Sequence, residues 1–345
     1  MESIGTWWLW TIFVGVVVTM LAVDLLVFKG GHSHRVSLKE AAGWSVAWVL
    51  LALLFSAGLW AYLDAALGRA VANEKTLAFL AGYLVEKSLA VDNVFVWMMI
   101  FGYFAIPLEL QRRVLLYGIL GAIALRTAMI LAGSWLVAEF HWLLYLFGAF
   151  LVATGIKMVW FAGHTADLDK NPVVRWIRRH YPITERLEGE RFFVMRNGVR
   201  MATPLLLALV LVEVSDVIFA VDSIPAIFAI TTDPFIVLTS NLFAILGLRA
   251  MYFLLADLGD RFALLKYGLG AILMFVGIKM LIADWVKIPV PVSLGVVAAL
   301  LTLAVAASLW KSRRQHVIAG GAHAPPAAPR LTATESAPAP TRHSS

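Results

Sequence analysis

The chain contains no cysteine. Disulfides, thiolate metal sites and cysteine nucleophiles are therefore excluded. Charge is the second scarcity: Asp, Glu, Lys and Arg make up only 14% of the 345 residues, against roughly 25% in soluble domains. All eight histidines fall between apolar segments or in the C-terminal tail, so no imidazole is expected inside the apolar runs. Hydrophobic residues fill the space at 61%, with a mean hydropathy of +0.83. That is the composition of a polytopic membrane protein. A net charge of +6 suits nucleic acid in a soluble chain. Here the basic residues lie between apolar segments, so the charge is read as topology and no nucleic-acid partner is expected.

A bilayer span needs about 20 residues. Nine segments meet that length, approximately 7–28, 44–63, 77–104, 114–138, 142–162, 203–231, 235–256, 265–285 and 290–310. The first is too long for a signal peptide and is followed, not preceded, by basic residues. The loops alternate in basic content. One side holds Lys29, Arg35 and Lys39, then Arg112 and Arg113, then eight Lys/Arg between 162 and 202, then Arg261, Lys266, Lys311, Arg313 and Arg314. The other side holds only Arg69, Lys75 and Lys287. The positive-inside rule then predicts an outside N-terminus and a cytoplasmic C-terminus; the location expected is the plasma (inner) membrane. Asp24, near the end of the first span, reads as an interfacial residue. The stretch NPVVRWIRRHYP predicts a short basic helix on the lipid surface. The Ala-, Pro-, Ser- and Thr-rich tail from Ile318 onward predicts disorder.

An internal repeat organises the middle of the chain. GAFLVATGIKM at 148–158 matches GAILMFVGIKM at 270–280 at seven of eleven positions. ALR ending at Arg126 parallels GLR ending at Arg249, and LAVDN ending at Asn93 parallels FAVDS ending at Ser223. The last offset also places Glu86 on Asp216. Each repeat holds three spans, an odd number, so the second copy enters from the opposite side. The fold expected is all-α, about nine transmembrane helices around an inverted 3+3 repeat. Its parts are two N-terminal helices (1–75), a first repeat (76–162), a basic cytoplasmic loop (163–202), a second repeat (203–285), a final helix (286–310) and a tail (311–345).

The charges inside these runs are the chemical signal. Spans three and six carry Glu86 and Asp92, and Asp216 and Asp222, with Glu213 as an extra acid in the second copy. Arg126 and Arg249 lie near the middle of spans four and seven, and Lys157 and Lys279 toward opposite faces. An acid at the bilayer centre costs roughly 2.5–3.5 kcal/mol on insertion scales, so five are expected to face one another rather than lipid. Asp216 and Asp222 point about 120° apart on an ideal helix. Pro225 is expected to break that helix beside Asp222; the first copy has Phe95 at the matching place. With Asn93 and Ser223 the candidate ligands are all oxygen, which suits Mg²⁺, Ca²⁺ or Mn²⁺ rather than Cu⁺ or Zn²⁺. The competing reading is structural, with the acids pairing to the arginines to hold the bundle together.

The stretch VEVSDVIFAVDSIPAIFAITTDPFIVLTSNLFAILGLRAMYFLLA, with EKSLAVDNVFVW, closely resembles the signature of TerC family integral membrane proteins. The likeness runs from about Thr6 to Arg314 and is nearest the Alx branch. The resemblance implies a pH-responsive manganese exporter, with Glu86, Asp92, Glu213, Asp216 and Asp222 as its acids and no cofactor beyond the transported cation. The family name also carries tellurium resistance, and a scaffold or redox-modulator role is the alternative. An enzyme is the least favoured class: LGDR at Leu258–Arg261 offers Asp260 with no partner aspartate in a matching position.

Overall fold

In lipid, a backbone without water must satisfy its own polar groups, and helix is the local way to do so. Each of the expected spans carries helix. The computed structural model describes residues 3–27, 38–160, 172–184, 186–196, 198–256 and 264–321; side chains at 24–27, 173, 178, 309 and 312–321 fall outside this description. Lys29, Arg35, Asp260, the start of the basic loop and the tail beyond residue 321 therefore lie outside the described residues, as does the side chain of Asp24.

The helices are α1 (Trp7–Val27), α2 (Leu38–Leu67), α3 (Arg69–Tyr103), α4 (Leu108–Glu139), α5 (Leu143–Trp160), α6 (Pro172–His180), α7 (Pro204–Phe228), α8 (Pro234–Leu246), α9 (Leu248–Ala256), α10 (Leu265–Leu281) and α11 (Val290–Gly321). Six spans among the described residues are long and apolar enough to cross a membrane, with α8 and α9 counted together as Pro234–Ala256. The helix α1 adds a shorter apolar stretch, Trp7–Val23. The helix α3 carries Glu86, Lys87 and Asp92 inside its apolar length, and α10 has 17 residues. Trp7, Trp160 and Trp285, each about four-fifths exposed, stand at or just beyond helix ends, where amphipathic rings meet a lipid headgroup layer.

The basic loop holds more structure than its composition predicts. The helix α6 forms as expected, but a hairpin follows it. Strands β1 (Phe193–Arg196) and β2 (Val199–Ala202) pair antiparallel, Phe193 opposite Ala202 and Arg196 opposite Val199. Gly198 takes a φ of 77°, which suits the two-residue turn of such a hairpin.

The helix α3 and the α8–α9 pair form the interior. Of α3, 18 residues are buried, and every residue of α8 from Phe235 onward is buried. Packing follows a reciprocal scheme. The helix α3 packs on α8 and touches α10, while α7 packs on α4 and α5, and α5 lies along α10. Exchanging α3 with α7, α4 with α8–α9, and α5 with α10 maps these contacts onto one another. The α5–α10 contact is backbone against backbone. A Cβ on Gly155 would stand 2.7 Å from the Gly270 carbonyl oxygen, and one on Gly270 would stand 2.9 Å from the Gly155 oxygen. Gly148 and Gly277 repeat the relation at 3.0 and 2.7 Å. The two matching segments therefore meet antiparallel, first glycine to last. Small residues permit this close approach where lipid offers no hydrophobic drive between helices.

Two helix ends differ from the sequence reading. The helix α7 runs through Pro225 and stops only after Phe228, so the expected break at Asp222 does not occur. Pro225 lies in the last turn, and the one bond it forfeits, to the Val221 carbonyl, does not end the helix. The interruption falls instead at Gly247, between α8 and α9 and two residues before Arg249. Lys87 closes this gap: its Nζ donates to the Ala244 carbonyl at 3.2 Å, placing a cation at the negative end of α8. A Cβ on Gly247 would approach that nitrogen to 2.6 Å.

Candidate functional site

Burying a guanidinium is tolerable only when carboxylates and hydrogen bonds replace its water. Arg126, from the middle of α4, is 1% exposed and has both. Its Nε donates to Asp216 Oδ2 at 3.0 Å and Oδ1 at 3.2 Å, and its Nη2 donates to Oδ1 at 2.7 Å. Its Nη1 donates to Glu86 Oε1 and, at 3.3 Å, to Ser223 Oγ. Asn93 Nδ2 adds a bond to Asp216 Oδ1 at 3.3 Å. Three helices thus converge on one planar fork: α3 with Glu86 and Asn93, α4 with Arg126, and α7 with Asp216 and Ser223. The two acids are those aligned by the sequence repeat.

The remaining acids stand apart from this clamp. Asp222 is half-buried on the α7 face toward α5, hydrogen-bonded to Thr154 and near the charge of Lys157. Asp92 is 7% exposed, feels the charge of Lys266 on α10, and leaves its Oδ1 without a partner. Each outer acid of one three-helix unit thus lies toward the last helix of the other. Glu213 sits against Gly121 of α4, where any side chain would collide with its carboxylate, and it feels the charge of Asp216. Arg249 is buried at 2% exposure on α9, just past the Gly247 break. Among the described residues no three His, Asp or Glu side chains converge as a metal-holding group.

The acids therefore do not form one five-carboxylate cluster. The structure brings together Glu86, Asp216, Asn93, Ser223 and Arg126, and separates Asp92, Glu213 and Asp222. Thr154, Lys157 and Lys266 enter as neighbours of the outer acids. Lys157 was legible only as a lysine near a helix end, and Thr154 carried no signal. Orphaned oxygens remain inside: Glu86 Oε2, Asn93 Oδ1, Asp92 Oδ1 and Glu213 Oε2 have no hydrogen-bond partner among the described residues. Groups of this kind each cost free energy unless a cation, water or another conformation satisfies them.

The profile of the integral membrane protein TerC family matches residues 71–316, which hold all of these residues. A protein of Escherichia coli (strain K12) with "membrane-bound redox modulator Alx" in its name is 58% identical over 321 residues, 93% of this chain and 100% of its own. A protein of Salmonella typhi with the same words in its name is 59% identical over 315 residues, 91% of this chain and 98% of its own. An uncharacterized membrane protein, STKORF319 of Myxococcus xanthus, is 51% identical over 323 residues, 94% of this chain and 98% of its own. No solved structure matches. By the family match and by these identities over nearly the whole chain, this protein is a member of the TerC family of integral membrane proteins.

Proposed function

We propose that this protein exports a divalent metal cation, Mn²⁺ foremost, across the plasma membrane in exchange for protons, and that it is not an enzyme. One observation supports this above the others. Glu86 and Asp216, aligned by the repeat, meet in the buried centre with Asn93 and Ser223 around a single cationic group. A site whose acids come one from each half is the plan of transporters built from inverted repeats, where rocking of the halves turns the site from side to side. The nine spans, the inverted repeat, the outside N-terminus and the cytoplasmic C-terminus all belong to this reading. The reciprocal packing of α3, α4 and α5 on α7, α8 and α10 supports it.

In the described conformation Arg126 stands between the two carboxylates, where a cation would sit. Cation entry then requires the guanidinium to yield one or both of them. Hard oxygen donors without thiolate or imidazole favour Mn²⁺, Mg²⁺ and Ca²⁺ over softer ions. Asp92 and Asp222, each facing the last helix of the opposite half, are placed to complete the ligand set when the halves move. Glu213, half-buried one turn before Asp216 on α7 and within reach of its charge, is the candidate proton carrier. Since a carboxylate must lose its proton to bind metal, binding and proton release are coupled.

The second reading, a redox modulator or scaffold without transport, is favoured by the names of the relatives. A chain without cysteine has no thiol with which to exchange disulfides itself, and a scaffold leaves the buried clamp unexplained. Mn²⁺ uptake by inverted vesicles holding the purified protein separates the readings. Uptake driven by an imposed pH gradient, and lost in Asp216→Asn, supports export. A wild type that takes up neither Mn²⁺ nor Ca²⁺ under either gradient refutes it.

A further inference from the structure

One face of α3 carries a file of polar groups that the bundle buries and leaves without partners. Thr76 Oγ1, Tyr83 Oη, Glu86 Oε2, Asn93 Oδ1 and Trp97 Nε1 are all unpartnered among the described residues. Their residues are between 0% and 8% exposed. At about 100° and 1.5 Å per residue these five positions fall within an arc of about 100° and extend about 31 Å, close to the hydrocarbon thickness of a bilayer. Asp92 Oδ1, also unpartnered, lies off this arc toward Lys266 of α10; the other five of the six such residues of α3 share one face over the full depth of a membrane.

A further such group lies on the neighbouring helix. Asn241 of α8 is fully buried, and among the described residues neither its Oδ1 nor its Nδ2 has a partner. The register of the two helices fixes its depth. Lys75 meets Asp233 at 3.5 Å, a Cβ on Gly82 would meet Ser240 Oγ at 2.8 Å, and Lys87 meets the Ala244 oxygen at 3.2 Å. All three pairs keep nearly one offset, so α3 and α8 run parallel and Asn241 stands level with Tyr83. Both lie about one turn from Glu86, on the side of Lys75 and Asp233. That is the end with few basic residues, predicted to be outside. About one turn beyond Tyr83, toward Thr76, Phe79 lies on the same face, its ring 6.4 Å from that of Tyr83 and 6.0 Å from that of Phe243.

We propose that Asn241 and Tyr83 form an outer relay subsite that takes a hard divalent cation from Glu86 and Asp216 and passes it along the α3 face toward the outside. The inference rests on the transport reading. The amide oxygen of Asn241 and the phenolic oxygen of Tyr83 are neutral donors. They replace part of the hydration shell without holding the ion as tightly as carboxylates, as a release site requires. Phe79 against Phe243 is the closed outer gate of this conformation.

The test uses the full-length protein, with Mn²⁺ uptake into inverted vesicles and Mn²⁺ binding to purified protein measured side by side. Asn241→Leu removes both polar atoms at similar volume. Loss of one polar ion contact in the path is expected to slow its uptake by at least about tenfold. Its Mn²⁺ affinity at the carboxylates should stay within about twofold of wild type, since no charged ligand is lost. Tyr83→Phe, which removes only a hydroxyl, should show the same separation and decides the matter where Asn241→Leu does not fold. Wild-type uptake in both variants overturns the subsite while leaving transport standing. Loss of binding together with uptake also overturns it, because the residues then belong to the carboxylate site. A wild type without uptake overturns transport and relay together.

Discussion

Replacing Arg126 tests whether the clamp is a bidentate lock or a loose charge balance. In the structure three of its five donor contacts go to Asp216, at 2.7, 3.0 and 3.2 Å, and the others go to Glu86 and Ser223. Arg126→Leu leaves two buried carboxylates without a counter-charge. Breaking a buried pair in this way costs about 3–5 kcal/mol. Arg126→Lys keeps the charge but loses the planar fork, and one or more charge-assisted bonds with it, at about 1.5–3 kcal/mol. Asp216→Asn removes one charge and should cost about 2–3 kcal/mol. The Arg126→Leu, Asp216→Asn double variant should cost less than the sum, by a coupling of about 2 kcal/mol, because the second change removes part of what the first left unpaired. Unfolding of the detergent-solubilised protein, in a full double-mutant cycle, measures all four values. Additivity within about 0.5 kcal/mol, or an Arg126→Lys variant as stable as wild type, would refute the clamp.

Asp92→Asn and Asp222→Asn should each abolish Mn²⁺ efflux while leaving expression and membrane insertion normal; wild-type efflux in both contradicts the assignment of the outer acids. Glu213→Gln should flatten the pH dependence of efflux more than it weakens Mn²⁺ binding, and loss of binding would make Glu213 a ligand instead. Gly155→Ala forces α5 from α10, because the new Cβ lies 2.7 Å from the Gly270 oxygen, and overpacking of this kind costs about 1–3 kcal/mol. Gly58→Ala, with nothing within 4 Å of its Cβ, is the control and should be neutral or stabilising in the same unfolding assay. Asp233→Ala removes the cap of α8 and the ties to Ser3 Oγ and the Ile4 amide. It should cost about 0.5–2 kcal/mol and expose the N-terminus to added protease.

Much of the architecture was legible from composition because a bilayer is an unforgiving solvent. Long apolar runs can only be helices there, so the ranges of α1, α5 and α7 follow to within about three residues, while α2 and α4 start six residues before the apolar runs that announced them. The repeat between 148–158 and 270–280 was visible as identity. That these two segments are packed on each other, glycine against glycine, was not, because identity says nothing about contact. The candidate residues were also legible, since every charge in an apolar run stands out against the cost of burying it. Their arrangement was not. Sequence spacing places Glu86, Asp92, Asp216 and Asp222 on helices but cannot say how those helices are rotated.

Pro225 shows the limit of local rules. It forfeits one bond, to the Val221 carbonyl one turn earlier, and only the folded chain shows that α7 runs on past it to Phe228. Gly247 drew no attention as a breaker, yet the chain is interrupted there, because Lys87 of α3 supplies the cation that the broken end needs. Asn241, inside a quoted signature, looked like one polar residue in a helix. Its significance comes from being fully buried with neither polar atom partnered among the described residues. Residue type and period, set by covalent chemistry and the solvent, determined which segments are helical and which side chains are costly to bury. Tertiary packing alone decided which acids share Arg126 and which face a lysine on the opposite half, because those choices depend on helix rotation and depth, which no local interaction fixes.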